Sequence, residues 1–347
     1  MHILIAGVAS PTGRLLAETL LAETRLADTT PVITRVTGLD SRPCLPPLAG
    51  LHFVRARFRQ PEWTPLLDST DHPVDVVILV TGAEWPASRR RSPDATLFAD
   101  TRFVIDAALA AKVRKLIVVN SAALYGTSPP NPLAMHREGE SSSGRAALPG
   151  IKGEMQRISS VYLTESAPVR GHEASVYARA RARIADYLDV ISAQNTKTIM
   201  TRLRMVWLCG ARHTALARYA QTDPVLVRGF ADHALDVIHE QDAIAAIRLA
   251  LHHDLPGIYN VGYGADAAGQ ITFSDLAALA GQEREPVSLT HVTLRAWWRW
   301  RWRGKPMPPG FVRAFVRAGP LDAQKLRAAG WSPQYTARAA VLEAFRT

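Results

Sequence analysis

The sequence predicts an open α/β fold built on a doubly wound parallel sheet. Two observations carry this expectation. Short apolar runs alternate with helix-spaced segments through the first third of the chain. The first apolar run also ends in a glycine-bearing turn that leads into a helix. Residues 3–6 read as a buried strand. Residues 13–26 carry Leu15, Leu16, Leu20 and Leu21 at helical spacing. Residues 32–39 form a second strand, and Phe53 and Val54 open a short third. Residues 74–80 are apolar but for Asp75, the pattern of a strand covered on both faces. A helix over 95–111 leads to another buried strand at 116–120.

From 127 to 173 the periodicity stops. Pro, Ser and Gly dominate, as in Ser128-Pro129-Pro130 and Ser141-Ser142-Ser143-Gly144. This predicts a long inserted loop or lid, with a short helix near 152–161. Helical spacing returns over 175–192, followed by a strand at 198–206, a helix at 242–251 and a strand at 257–261. Ser274 reads as the N-cap of a helix over 275–280. The tail is helical from Asp322 and broken at Gly330-Trp331-Ser332-Pro333.

The composition narrows the class. With 347 residues, 47% hydrophobic and 21% charged, the chain can bury a real core in one large domain or two intimately packed ones. Its two cysteines, Cys44 and Cys209, are far apart. They make neither a disulfide framework nor a zinc pattern, which fits a reducing cytoplasm. The segment Met1-His2-Ile3-Leu4-Ile5 reads as a buried strand, not a signal peptide. No run approaches the roughly 18 apolar residues of a membrane span. The eleven histidines lack HxxxH or HxH spacing, so no metal site is expected.

The net charge of +10 comes mostly from arginine. An excess of this kind suits an anionic substrate, an anionic lipid surface or nucleic acid. It clusters at Arg89, Arg90 and Arg91 and again over 295–305. The latter interleaves Arg295, Arg299, Arg301, Arg303 and Lys305 with four of the eight tryptophans. Three readings fit: a helix with tryptophans packed inward, a substrate-cleft wall, or a peripheral membrane contact. Nucleic acid is not expected, because no reader motif accompanies the charge.

The chemistry starts at Ala6-Gly7-Val8-Ala9-Ser10-Pro11-Thr12-Gly13. A glycine turn between a strand and a helix lets backbone N–H groups reach a pyrophosphate at the helix N-terminus. Gly7 and Gly13 hold two of the usual three glycine positions. Ser10 holds the third, where its side chain crowds the phosphates and offers a hydroxyl. Pro11 suits the first helical turn. Asp40 ends the second strand, where a carboxylate takes the adenosine ribose hydroxyls and repels a 2′-phosphate. NAD is therefore expected over NADP, with Arg42 softening the preference. Thr12, Arg57, Val80 and Thr81 complete the candidate cofactor set.

Four stretches carry a family resemblance. They are Val113-Arg114-Lys115-Leu116-Ile117-Val118-Val119-Asn120-Ser121-Ala122-Ala123-Leu124-Tyr125-Gly126, Val237-Ile238-His239-Glu240-Gln241-Asp242-Ala243, Gly257-Ile258-Tyr259-Asn260-Val261-Gly262 and Leu326-Arg327-Ala328-Ala329-Gly330-Trp331-Ser332-Pro333. Together the chain resembles the extended short-chain dehydrogenase/reductase family of the NAD-dependent epimerase/dehydratase type. The resemblance implies a Rossmann-like dinucleotide-binding domain over 1–200, carrying the 127–173 insertion. A smaller substrate-binding part over 201–347 packs against it, with some segments returning to the first domain.

That family uses a Ser or Thr, a Tyr, and a Lys four residues after the Tyr. Ser121 and Tyr177 match the first two, and Arg181 stands in the lysine position. Arginine keeps the positive charge and donors but is bulkier and cannot deprotonate. Turnover can thus be lowered, redirected or lost. Ala122 and Ala123 replace the Asp-Glu pair of the family's dehydratases, and Met205 replaces a proline. Arg57 stands where the family places an adenine-contacting Asp. The resemblance implies an NAD(P)-dependent oxidoreductase or epimerase acting on a hydroxyl or carbonyl of a nucleotide sugar or other small biosynthetic substrate. The departures keep two alternatives open: a cofactor-binding protein without turnover, and a non-redox isomerase or cyclase. A homodimer through the alanine-rich 174–188 segment is a further expectation from the family.

Overall fold

The computed structural model describes residues 1–24, 32–80, 93–126, 162–173, 175–195, 197–222, 234–264, 271–281, 294, 297–298 and 320–346. Its strands are β1 (His2–Ala6), β2 (Arg35–Asp40), β3 (His52–Arg55), β4 (Val76–Leu79), β5 (Lys115–Ser121), β6 (Ile199–Met205), β7 (Trp207–Cys209), β8 (Ala234–Leu235), β9 (Val237–His239), β10 (Gly257–Val261) and β11 (Ile271–Thr272). Its α-helices are α1 (Pro11–Glu23), α2 (Pro93–Ala110), α3 (Val176–Gln194), α4 (Ala215–Thr222), α5 (Glu240–His252), α6 (Phe273–Leu279), α7 (Gln324–Ala328) and α8 (Ala337–Arg346).

The β1 strand is buried along its whole length because it lies inside the sheet and is covered on both faces. Successive side chains point to opposite faces. Ile3 and Ile5 enter a core shared with Leu16 and Leu20 of α1 and Ile244 and Ile247 of α5. Leu4 and Ala6 enter a second core with Val104 and Ile105 of α2 and Ile184 and Leu188 of α3. The apolar runs seen in the sequence are therefore strands sandwiched between helical layers.

The main sheet has seven strands in the order β10-β6-β5-β4-β1-β2-β3, and its pairings are parallel. From β1 the chain first builds outward through β2 and β3, then returns to build the other half from β4. In such sheets ligands bind in the crevice at the carboxyl ends of the strands, where the order reverses. Gly7, Asp40, Val80 and Ser121 all lie at that edge. Strands β6 and β10 and helix α5 come from beyond residue 199, so the later half of the chain completes the sheet.

Lys115 shows how the sheet and α5 are joined. Its buried ammonium donates to the carbonyls of Ala250, Leu251 and His253 at 3.0, 2.9 and 2.8 Å. It also pairs with Asp254 at 2.9 Å. These carbonyls close the C-terminus of α5, where a cation complements the helix dipole. The C-terminal signature is fixed in a comparable way. Asp242 accepts from Tyr263 Oη at 2.8 Å and from the backbone N–H groups of Gln334 and Tyr335 at 2.7 and 3.1 Å. Trp331 Nε1 donates to the Asp242 carbonyl at 3.1 Å.

The structure departs from the sequence reading at α6. Its N-cap is Thr272, not Ser274. Thr272 Oγ1 accepts from the Asp275 N–H while the Asp275 carboxylate accepts from the Thr272 N–H. This reciprocal capping box satisfies two amides that a cap at Ser274 would leave open. The helix expected near 152–161 and most of the inserted loop lie outside the described residues. The loop's described end returns to the sheet edge, where Leu163 O and Glu165 Oε1 accept from Asn260 at 2.8 and 2.9 Å.

One partly buried acid, Asp236, gives the fold an expected pH dependence. Asp236 accepts from the Leu321 N–H at 2.8 Å. Burial raises its carboxyl from the usual 3.8 to about 7. The folded protein therefore holds a proton that the unfolded chain releases above about pH 4. Stability is expected to fall as pH rises from about 4 to 7, by at most about 1.4 kcal/mol per pH unit from this group. Asp236→Asn should flatten that slope in urea denaturation run across this range. An unchanged slope would remove Asp236 as the cause.

Candidate functional site

The turn after β1 is closed by its own serine. Ser10 Oγ donates to the Gly7 carbonyl at 2.7 Å and accepts from the Gly13 N–H at 3.0 Å. Ser10 is thus the N-cap of α1, with Pro11 at the first helical position. The side chain is tucked beneath the turn, with 4% of its surface exposed. The crowding anticipated from the sequence is relieved, because the hydroxyl is used inside the turn. Gly7 has a φ of 95°, open to glycine at little cost. Gly13 is required by contact: a Cβ there would lie 2.2 Å from the Gly7 oxygen. Glycines at 7 and 13 therefore let α1 open tight against the end of β1, the turn at which a helix N-terminus can meet a pyrophosphate in this kind of sheet.

Asp40 borders the same turn. Its Oδ2 accepts from the Ala9 N–H at 3.1 Å and its Oδ1 from the Arg42 N–H at 2.9 Å. The Arg42 guanidinium lies 3.6 Å from Oδ1 and is largely exposed. The carboxylate is buried and each oxygen retains capacity for another donor. Val80 is also at this edge. Its N–H bonds the Ala6 carbonyl at 2.9 Å, and its side chain is fully buried in the core. Arg57 follows β3 on the surface, with its N–H bonded to Gln60 Oε1 at 3.0 Å. Thr81, Arg89, Arg90 and Arg91 lie outside the described residues. So does most of 295–305, although Trp297 and Trp298 are each 48% exposed.

Across β5, Ser121 caps the short 3-10 turn Ala122–Tyr125. Its Oγ accepts from the Ala123 N–H at 3.2 Å. The hydroxyl keeps its own proton to donate. Tyr177 and Arg181 lie one turn apart on the buried face of α3. An Arg181 guanidinium nitrogen donates to Tyr177 Oη at 3.4 Å, and its carbon sits 5.1 Å from the phenol ring centre. Arg181 is 2% exposed and Tyr177 is 9% exposed. Asn120, next to Ser121, donates from Nδ2 to the Arg181 carbonyl at 3.1 Å. This bond ties the end of β5 to the turn of α3 that bears Tyr177 and Arg181.

Two groups escaped the sequence reading as site-forming residues. Tyr125 Oη donates to Asn260 Oδ1 at 2.7 Å and accepts from Arg204 at 2.8 Å. Burial raises the Tyr125 phenol above its usual pKa, so it stays protonated. All three residues stood inside recognisable segments, but nothing local to any of them specified the partners. The second group adds His213 and Glu240 to Thr12, itself already a cofactor candidate from the sequence. Thr12 Oγ1 lies 2.9 Å from His213 Nε2, and His213 Nδ1 lies 2.8 Å from Glu240 Oε2. No sequence spacing pointed to it, because Thr12 and His213 are 201 positions apart. His239, by contrast, is structural. It caps α5, stacks on Tyr335 and bonds Glu343.

The sheet order and the glycine turn after its first strand define the dinucleotide-binding class of open α/β proteins. Residues 3–262 match the NAD dependent epimerase/dehydratase family, and the chain belongs to that family. Uncharacterized proteins of Mycobacterium bovis and Mycobacterium tuberculosis are 26% identical over 265 residues. That match covers 74% of this chain and only 61% of the length of those relatives. Among solved structures, the fold is similar to a Thermus thermophilus UDP-glucose 4-epimerase in complex with NAD, with TM-score 0.64 and 22% identity over 100% of this chain and 98% of that one. It is also similar to a Bacillus anthracis dTDP-glucose 4,6-dehydratase in complex with NAD, with TM-score 0.65 and 15% identity over 100% and 96%. MoeE5 in complex with UDP-glucuronic acid and NAD gives a TM-score of 0.67 at 14% identity, over 100% and 98%.

The closeness of Gly13 to Gly7 yields a direct test. Gly13→Ala must push α1 off the turn, because the obstructing atom is backbone. We expect a loss of about 2 kcal/mol or more in urea denaturation. A variant as stable as the parent would mean that the turn opens freely.

Proposed function

We propose that the protein binds NAD at the carboxyl edge of the sheet and acts as an epimerase or oxidoreductase on a hydroxyl-bearing carbon of a nucleotide sugar. The observation that carries this reading is that Asn120, the neighbour of Ser121, bonds the Arg181 carbonyl on the turn of α3 where Arg181 donates to Tyr177 Oη. The helix N-terminus where α1 opens fits the pyrophosphate, and Asp40 fits the adenosine ribose. Membership of an NAD dependent family and the nucleotide sugars named for its structural neighbours support the substrate class.

When bound, NAD supplies a hydride acceptor that can return the hydride. The protein's own task is to hold the substrate oxygen and move its proton. Tyr177 Oη exchanges that proton as general acid and base. Arg181 donates to Oη and keeps a fixed positive charge beside it. Ser121 donates to the same substrate oxygen and holds it against the phenol. Ala122 and Ala123 bring methyl groups where dehydration needs an acid and a base, so the reading excludes 4,6-dehydration. Arg181 also favours a second reading, a cofactor-binding protein with little turnover, because its contact with Tyr177 is long at 3.4 Å.

Mass spectrometry of cofactor released from purified protein, with NAD and NADP titrations, tests the assignment. Retained NAD is expected for an epimerase, which recycles the hydride in place. Exchangeable NADP would point instead to a reductase and overturn the role given to Asp40. With turnover of UDP-sugars in hand, Tyr177→Phe should lower kcat by about a hundredfold or more while leaving NAD affinity within about threefold. Arg181→Lys should preserve or raise kcat. A Tyr177→Phe protein as active as its parent would remove Tyr177 from the chemistry.

A further inference from the structure

Glu240 and His213 form a charged relay that ends on the dinucleotide turn. The β7–α4 loop wraps the Glu240 carboxylate, whose Oε2 accepts from the Arg212 N–H at 3.0 Å, the His213 N–H at 3.2 Å and His213 Nδ1 at 2.8 Å. Gly210 makes the wrap feasible. Its φ is 151°, and a Cβ there would lie 2.6 Å from the Glu240 carboxyl carbon. Burial works against the Glu240 charge, but the bond to His213 and the N–H of Arg212 outweigh it and hold the carboxyl below the usual range. Glu240 is thus an anion with 4% of its side chain exposed, and His213 beside it has 12% exposed.

Because Nδ1 faces this carboxylate, Nδ1 carries a proton in either charge state. Nε2 then decides what Thr12 can do. A neutral imidazole accepts the Thr12 hydroxyl proton and points it away from the turn. An imidazolium donates to Thr12 Oγ1 and leaves that hydroxyl proton available elsewhere. Thr12 occupies the second position of α1, where the backbone N–H has no intrahelical partner.

We propose that His213 is a positioning residue of the pyrophosphate site: it takes up a proton when an anionic dinucleotide binds and transmits its charge to the turn through the Thr12 hydroxyl. The inference rests on the NAD-binding reading above. The surrounding charges are consistent with it. Arg212 is drawn off by Glu18 of α1, which also pairs with Arg14 at 3.0 Å. His239, on the far side of Glu240, is engaged with Glu343 of α8 at 2.6 Å. Burial pushes the Cys209 thiol up and out of the titrating range. Glu240 is therefore the anion in direct contact with the His213 ring, and the pyrophosphate would be a second anion acting through Thr12.

The test is calorimetric titration of the full chain with NAD, run at each pH in two buffers of different ionisation enthalpy. The difference in heat reads proton uptake directly. The parent should take up between about 0.2 and 1 proton per NAD near pH 7, with affinity falling as pH rises above that. His213→Gln should take up none and bind about five- to tenfold more weakly at pH 6. Glu240→Gln, which keeps an acceptor but not the charge, should take up less than the parent. Thr12→Val and Thr12→Ser give a pair that leaves the relay's charges in place. The valine variant should lose at least about half the uptake and the serine variant should keep it. Absence of uptake in the parent between pH 6 and 8, or equal uptake in His213→Gln, overturns the inference while leaving the NAD site intact. A parent that binds neither NAD nor NADP overturns the reading of the glycine turn, and this inference with it.

Discussion

The contact between the Gly7 carbonyl and the Cα of Gly13 is the constraint on which the rest of the site depends. It fixes how closely α1 approaches the end of β1, and hence where the opening of the helix points. Ser10 reinforces that closure from beneath, bonding both glycines through one hydroxyl. The strand order supplies the other half. Because the sheet grows in opposite directions from β1 and β4, the turn, Asp40 and the end of β5 share one edge. Asn120 then ties that edge to the turn of α3 that bears Tyr177 and Arg181.

The buried carboxylates at this end of the sheet are partnered. Asp40 is held by two N–H groups and Arg42, and Glu240 by the 212–213 backbone and His213. Buried charges persist only when compensated in this way. Arg181 is the informative case. A guanidinium cannot lose its proton, so it can stabilise a phenolate but cannot itself relay a proton. In the proposed reaction the proton path therefore runs through Tyr177 and the substrate. Ala122 and Ala123 place no titratable side chain immediately after Ser121.

Much of the fold was legible before the structure. Residues 76–80 and 116–119 are apolar without alternation, and β4 and β5 are indeed buried on both faces. The strand at 257–261 matches β10 residue for residue. The short strands β7, β8, β9 and β11 were not legible, since two or three residues give no periodicity and are defined by their partners. The cap of α6 was misread for a local reason. Thr272 and Ser274 both qualify by type, and only the reciprocal bond to Asp275 chooses between them.

The sequence by itself determined the parallel α/β class, the glycine turn and the tyrosine–arginine pair four residues apart. Each depends on neighbours along the chain, where spacing translates directly into geometry. Tertiary structure alone decided that Ser10 turns inward, that Asn120 ties β5 to Arg181, and that His213 reaches Thr12 across 201 positions. Those contacts join segments brought together by sheet order and helix packing. No local pattern encodes them, because a hydrogen bond needs distance and direction between two side chains rather than any separation in sequence.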